Sequence, residues 1–199
     1  MKLLLTGFEP FGKNNTNPTQ HIVETLAAQT PYPGVELITC VLPVEYLRAE
    51  QQLLALVRKH RPDVILSLGL AETRAKICLE RVALNLDDTS APDNAGELRQ
   101  GTSICPDAPT AYFSTHPLDQ LKTALDNAEI PVQISNHAGA YLCNHIFYVA
   151  RHEVEPLGIP CGFIHTPQAK EFAPEAQNAL PLEMLVHGVE ICIQMLSVA

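Results

Sequence analysis

The chain is short of positive charge: 13 lysines and arginines stand against 22 aspartates and glutamates, for a formal net charge of −9. Phosphate backbones are held by a clustered excess of Lys and Arg, so a nucleic-acid partner is excluded. The one basic cluster, Arg58-Lys59-His60-Arg61, falls at the end of an expected helix, where cations complement the dipole. No Cys-x-x-Cys pair and no His-x-x-x-His spacing occurs, so neither a metal site nor any other cofactor is expected. The six cysteines are too sparse, and too embedded in apolar runs, for a disulfide scaffold. Tryptophan is absent, which bears on neither fold nor chemistry.

No Pro/Gly/Ser-rich stretch divides the 199 residues, which points to a single domain over 1–199 that buries about 70% of its unfolded surface. The apolar run at Leu3-Leu4-Leu5 is far shorter than a signal peptide or membrane span requires, and Glu9 follows it. A cytoplasmic protein without membrane attachment is the expectation.

What is present is an alternation of strand-like and helical patterns. Strands are expected over 2–6, 36–42, 63–68, 132–135 and 161–165, with an extended run at 77–86. Helices are expected over 19–28, 45–60, 118–128, a segment beginning just before Cys143, and 182–197. Strands separated by helices imply right-handed crossovers. The predicted fold is a three-layer α/β/α sandwich with a mainly parallel, twisted sheet. In such sheets ligands bind beyond the carboxyl ends of the strands, so the loops there are where chemistry belongs.

Three of those loops stand out. Gly7-Phe8-Glu9-Pro10-Phe11-Gly12, leading to Asn17-Pro18, places two exposed-looking aromatic rings on a rigid backbone, suited to a flat neutral group or to packing on the next helix. The second is the turn Ser135-Asn136-His137-Ala138-Gly139-Ala140-Tyr141-Leu142-Cys143-Asn144-His145. It sets Cys143 in the first turn of a helix, where unpaired N–H groups and the positive dipole end favour thiolate over thiol. The third loop follows Gly162-Phe163-Ile164-His165.

A thiolate nucleophile needs a base. His145 lies about 200° around the helix from Cys143 and should point away, whereas His137, in the preceding turn, stays open. His165 is preferred because strand-end loops converge on one crevice. The carboxylate or amide that would orient it is left among Glu80, Asp87, Asp88, Asp93 and Asn94. Glu80, in the partly apolar run 75–86, is set against a salt bridge to Arg81 or Arg74. A metal-dependent hydrolase drawing on the eight histidines, and a binding module that lost its chemistry, are the competing classes.

Taken together the motifs resemble the pyroglutamyl peptidase I family of cysteine peptidases almost end to end. The resemblance rests on Leu5-Thr6-Gly7-Phe8-Glu9-Pro10-Phe11-Gly12 with Asn17-Pro18, and on Glu80-Arg81-Val82-Ala83-Leu84-Asn85 with Pro92-Asp93-Asn94. Ser135-Asn136, Ala138-Gly139, Cys143-Asn144-His145 and Gly162-Phe163-Ile164-His165 complete it. It implies an omega-peptidase that removes N-terminal pyroglutamate from peptides through a thioester, with Cys143 as nucleophile, His165 as base then acid, and Glu80 orienting the histidine. It further implies that Phe8, Phe11, Asn17, Tyr141 and Leu142 line the substrate site. The Leu70 backbone would bond the lactam N–H, and the protein would be a homo-oligomer, dimer or tetramer. Ser90 stands where the family usually has an arginine, and the segment 69–74 lacks the family's usual glutamine and glycines.

Overall fold

The computed structural model describes residues 1–29 and 32–197. A seven-stranded sheet is formed by β1 (Lys2–Phe8), β2 (Glu36–Leu42), β3 (Val64–Leu70), β4 (Ile77–Leu84), β5 (Ala111–Phe113), β6 (Val132–His137) and β7 (Cys161–Thr166). The helices are α1 (Pro18–Ala28), α2 (Tyr46–His60), α3 (Leu118–Asn127), α4 (Leu142–Val154) and α5 (Leu182–Ser197). Strands β1 and β3 are buried along almost their whole length, as continuous apolar runs covered on both faces must be.

Alternation along the strands divides the core in two. Leu3, Leu5, Leu66, Leu68, Leu79 and Ile164 pack with α1, α3 and α5 on one face. Leu4, Ile65, Ala83, Cys161 and Phe163 pack with α2 and α4 on the other. The three layers expected from the sequence are therefore present, and the sheet is mostly parallel: β2-β1-β3-β7 run together.

The exception is β4, which lies antiparallel to β7 and β5 and parallel to β6. No helix separates β3 from β4, so the chain turns straight back beside β7 rather than crossing over. Since β6 and β7 both pair with Cys78, and β6 and β5 both pair with Val82, β5 and β7 occupy the same edge of β4 end to end. Strand β5, only three residues long, and the 3₁₀ turn Glu155–Leu157 carry no periodic signal and lie outside the sequence-based expectations.

Local chemistry sets the element ends. Asn17 caps α1, its Oδ1 accepting from Thr19 N–H at 3.0 Å, with Pro18 in the first turn. α2 is capped from a distance: Asp93 Oδ2 accepts from Tyr46 N–H at 2.9 Å, a contact worth about 1 kcal/mol. It ends at Arg61, a left-handed residue (φ 47°), after Arg58, Lys59 and His60 in the last turn.

His116 is buried against β7, so close that a Cβ on Gly162 would stand 2.4 Å from its Nδ1, and its Nε2 has no hydrogen-bond partner among the described residues. Burial pulls its pKa from 6.5 down to about 4, against a backbone hydrogen bond at Ile65 and with Arg151 adding to the fall. The unfolded chain takes up this proton near pH 6.5 and the folded chain only near 4, so stability falls as pH drops through that window. The loss is on the order of a few kcal/mol. Urea midpoints measured from pH 7 to 4 should fall less steeply for His116→Gln than for the natural chain; equal slopes would show that this ring titrates normally.

Candidate active site

The carboxyl ends of β1, β3 and β7 meet at the start of α4. Tyr141 is the N-cap residue and offers no side-chain capping bond, so Cys143, second in the helix, lies among first-turn N–H groups that no capping side chain occupies. The half-buried thiol faces β3 at Gly69, where a Cβ would come within 2.8 Å of Sγ and 2.8 Å of Phe163 Cζ. Only glycine leaves room for the sulfur there. An isolated glycine inside the apolar run Val64-Ile65-Leu66-Ser67-Leu68-Gly69-Leu70 is a sequence signal for such close approach.

Gly69 pairs in register with His165 of β7, which brings the imidazole to the same place. On its other side β7 meets β4, where Glu80 is opposite Phe163 and hence diagonal to His165 on the same face. His165 Nδ1 donates to Glu80 Oε1 at 2.8 Å, which leaves the other ring nitrogen, Nε2, free of that bond, and the Cys143 sulfur is near enough to bear on the charge of the ring. Glu80 is fully buried. Burial by itself would lower the His165 pKa, but the Cys143 sulfur and then the Glu80 carboxylate outweigh it and hold the ring's pKa up to about 9.

The other candidates go elsewhere. Arg81 is exposed and its guanidinium reaches Asn136, so it does not bridge to Glu80. His137 is exposed, its Nδ1 accepting from Gly139 N–H within the turn. His145 does point away from the thiol: it is buried, bonded through Nδ1 to Asp87 at 2.9 Å and through Nε2 to Glu50 at 3.3 Å. Asp87 also pairs with Arg99, whose guanidinium lies 4.2 Å over the Tyr46 ring. Asp88 is tied through its backbone to Ala140, and Asn94 donates to Pro10 O and Glu9 Oε1. Ser90 is exposed. Cys78 is buried, Cys105 half-buried, and neither is joined in a disulfide.

Beside Cys143 opens a small cleft of about 50 Å³ lined by Phe8, Phe11, Asn17, Val44, Leu70, Tyr141 and Leu142. The structure thus brings together all six residues expected at a binding site, and adds Val44, whose place after β2 no local pattern marks. Two of the six differ from expectation in character. Phe8 is buried in the α2/α4 core rather than exposed, and the polar atoms of Asn17 are used on Thr19 and on Glu9 O. Phe11 and Tyr141 face each other at 6.5 Å between ring centroids, and Tyr141 is steadied by its hydroxyl on Pro92 O. No carboxylate, ammonium or guanidinium borders this cleft among the described residues.

A family model described as pyroglutamyl peptidase matches residues 1–198. The chain is 44% identical over 191 residues to a pyrrolidone-carboxylate peptidase of Vibrio vulnificus, covering 96% of this chain and 90% of the relative. It is 38% identical over 198 residues to one of Thermococcus kodakarensis, covering 98% and 95%. Among solved structures, a mutant pyrrolidone carboxyl peptidase from Pyrococcus furiosus superposes with a TM-score of 0.93 at 35% identity, over 98% of this chain and 97% of that one. The pyrrolidone carboxyl peptidase of Thermococcus litoralis gives 0.92 at 32% identity, over 97% and 91%. A relay of buried carboxylate, imidazole and thiol beside an uncharged cleft, on a chain so matched over its length, shows that this protein belongs to the pyroglutamyl peptidase family.

Proposed function

We propose that the chain is a single-domain cysteine omega-peptidase that cleaves the amide bond after an N-terminal pyroglutamyl residue. The observation that carries this is the meeting of the bonded Glu80–His165 pair with Cys143 at Gly69, the sulfur standing in the wall of a cleft free of formal charge. The pyroglutamyl ring is small, flat and uncharged, and such a cleft holds it with the Leu70 backbone carbonyl accepting the lactam N–H. An ordinary ammonium terminus would be stripped of water there with no counter-charge, at a cost of several kcal/mol.

The Cys143 thiolate attacks the pyroglutamyl carbonyl carbon, and the oxyanion is met by the open N–H groups at the start of α4, Cys143's own among them. His165 passes its Nε2 proton to the leaving nitrogen as the C–N bond breaks, leaving a thioester. Water then attacks the thioester, giving its proton to the neutral imidazole, and the thiolate departs. Glu80 keeps the proton on Nδ1 and the ring turned towards sulfur. The match to the pyroglutamyl peptidase family over the length of the chain favours the thiol mechanism over the metal-dependent alternative.

Pyroglutamyl-arylamide should be hydrolysed roughly a thousandfold faster than prolyl-arylamide, which has the same ring size but a charged nitrogen. Comparable rates for the two, or no hydrolysis of the first, would overturn the assignment. With the His165 pKa at about 9, kcat/KM should hold across neutral pH and decline only above about 9 as the general acid is lost. A decline beginning near pH 7 would mean that the ring titrates as in solution.

Six unpaired cysteines support a reducing, cytoplasmic setting, and no helix among the described residues is long and apolar enough to cross a membrane. Assembly into a dimer or tetramer belongs to the same reading and rests on family resemblance alone.

A further inference from the structure

Asn144 follows the nucleophile and is fully buried, yet its side chain touches neither the cleft nor the relay. Its amide is bonded to the end of β4 and the chain just beyond it: Oδ1 accepts from Leu84 N–H at 2.8 Å, and Nδ2 donates to Leu84 O at 2.9 Å and to Leu86 O at 3.0 Å. Strand β6 pairs with β4 only as far as His137 opposite Val82, and then leaves the sheet for the turn into α4. Two residues further on, at Leu84, the amide of Asn144 supplies the acceptor and donor that another peptide group of β6 would have supplied. On the opposite edge β4 is already occupied, Leu84 pairing with Ala111 and Asn85 N–H bonding Thr110 O.

We infer that Asn144 is a positioning residue, a side-chain continuation of the β6 ladder that registers the first turn of α4, and with it the Cys143 sulfur, against the strand that carries Glu80. The consequence is mechanical. Glu80 belongs to β4, His165 is held by Glu80, and Cys143 belongs to α4; the two halves of the relay sit on different elements. Leu84 is four residues from Glu80 on one strand, and Asn144 is adjacent to Cys143 on one helix. Two hydrogen bonds between them and a third from Asn144 to Leu86 close the frame, and Asp88 N–H to Ala140 O at 2.9 Å braces the same turn from the loop after β4. A hydroxyl or a shorter stem could not reach both Leu84 groups at once, and glutamine would push the turn outward by one methylene.

This inference rests on the thiol-peptidase reading, and its test separates the two. In the full chain, Asn144→Ala should lower kcat for pyroglutamyl-arylamide about 100-fold, as a displacement near 1 Å can, while the inhibition constant of pyroglutamate changes less than about threefold, because the cleft wall is intact. Alkylation of Cys143 by iodoacetamide at pH 6.5, followed by the mass of the peptide containing it, should slow at least about tenfold as the sulfur is displaced from its place beside the imidazole. Asn144→Gln should behave alike, and carries the test if the alanine variant is recovered unfolded. Wild-type kcat and alkylation in either folded variant would overturn the inference, as would parallel loss of pyroglutamate affinity and kcat, or failure of both variants to fold; each would make Asn144 a purely structural residue. A natural chain inert towards pyroglutamyl-arylamide would instead overturn the functional reading.

Discussion

Cys143→Ala is expected to lower pyroglutamyl-arylamide turnover by about five orders of magnitude or more, the scale on which loss of a nucleophile acts when its partners can do nothing without it. Residual rate would come only from the cleft and the helix-start donors, which orient a substrate but form no bond to it. The substitution removes one sulfur from a half-buried site whose neighbours are Gly69 and Phe163, so the void is small and the fold should persist. Circular dichroism and pyroglutamate binding should therefore be unchanged while the thioester no longer accumulates in a single turnover. Full activity in the variant would remove Cys143 from the mechanism altogether. It would also leave the conjunction of Gly69, His165 and the open helix start without a chemical purpose.

Glu80→Gln carries the second large effect. The replacement is isosteric, and its carbonyl can still accept from His165 Nδ1, so the ring should stay where it is. What goes is the negative charge that stabilises an imidazolium, together with certainty about which ring nitrogen bears the proton. In a comparable relay the change from carboxylate to amide lowers kcat by roughly 10⁴-fold, and a loss between about 10³ and 10⁴ is expected here. KM should move by only a few-fold, since Glu80 is fully buried behind the histidine and does not border the cleft. The alkaline decline in kcat/KM should also begin at lower pH, because one of the groups holding the His165 proton has been removed. A kcat within tenfold of the natural enzyme would make Glu80 a bystander. Glu80→Ala is a poorer probe: it strands a buried imidazole N–H at about 1–3 kcal/mol and mixes stability with chemistry.

Much of the site was legible in the chain because it is written locally. The helical spacing after Tyr141, with an apolar strand before it, places Cys143 in a first turn whatever the rest of the molecule does. The motif at 7–12 announces a rigid aromatic loop, and Phe8, Phe11 and Asn17 do reach one cleft. His145 could be set aside by helical geometry alone, and the structure gives it to Asp87 and Glu50. His137 could not be, because nothing in a turn of glycine and alanine says where an imidazole points; only the bond from Gly139 N–H shows it shaping the turn.

The choice among Glu80, Asp87, Asp88, Asp93 and Asn94 was beyond local reading for a different reason. Each is a short-range polar group in a stretch with weak periodicity, and what separates them is the strand to which each is paired. Glu80 reaches His165 because β4 runs antiparallel to β7, a reversal in an otherwise parallel run of strands. Asp93 is consumed capping α2, and Asp87 neutralises His145 and Arg99. The role of Asn144 was hidden in the same way, since its partners at Leu84 and Leu86 lie about 60 residues away.

By itself the sequence determined most of the elements: which of the longer runs are strands, which are helices, and which residue types wait at the ends of the strands. These follow from period, capping and backbone restriction, and they act over a few residues. Only the tertiary structure decided which of those waiting side chains meet. Pairing direction and register are settled by how several elements bury their apolar faces together, so a carboxylate on β4, an imidazole on β7 and a sulfur on α4 become neighbours through packing that no stretch of the chain contains alone.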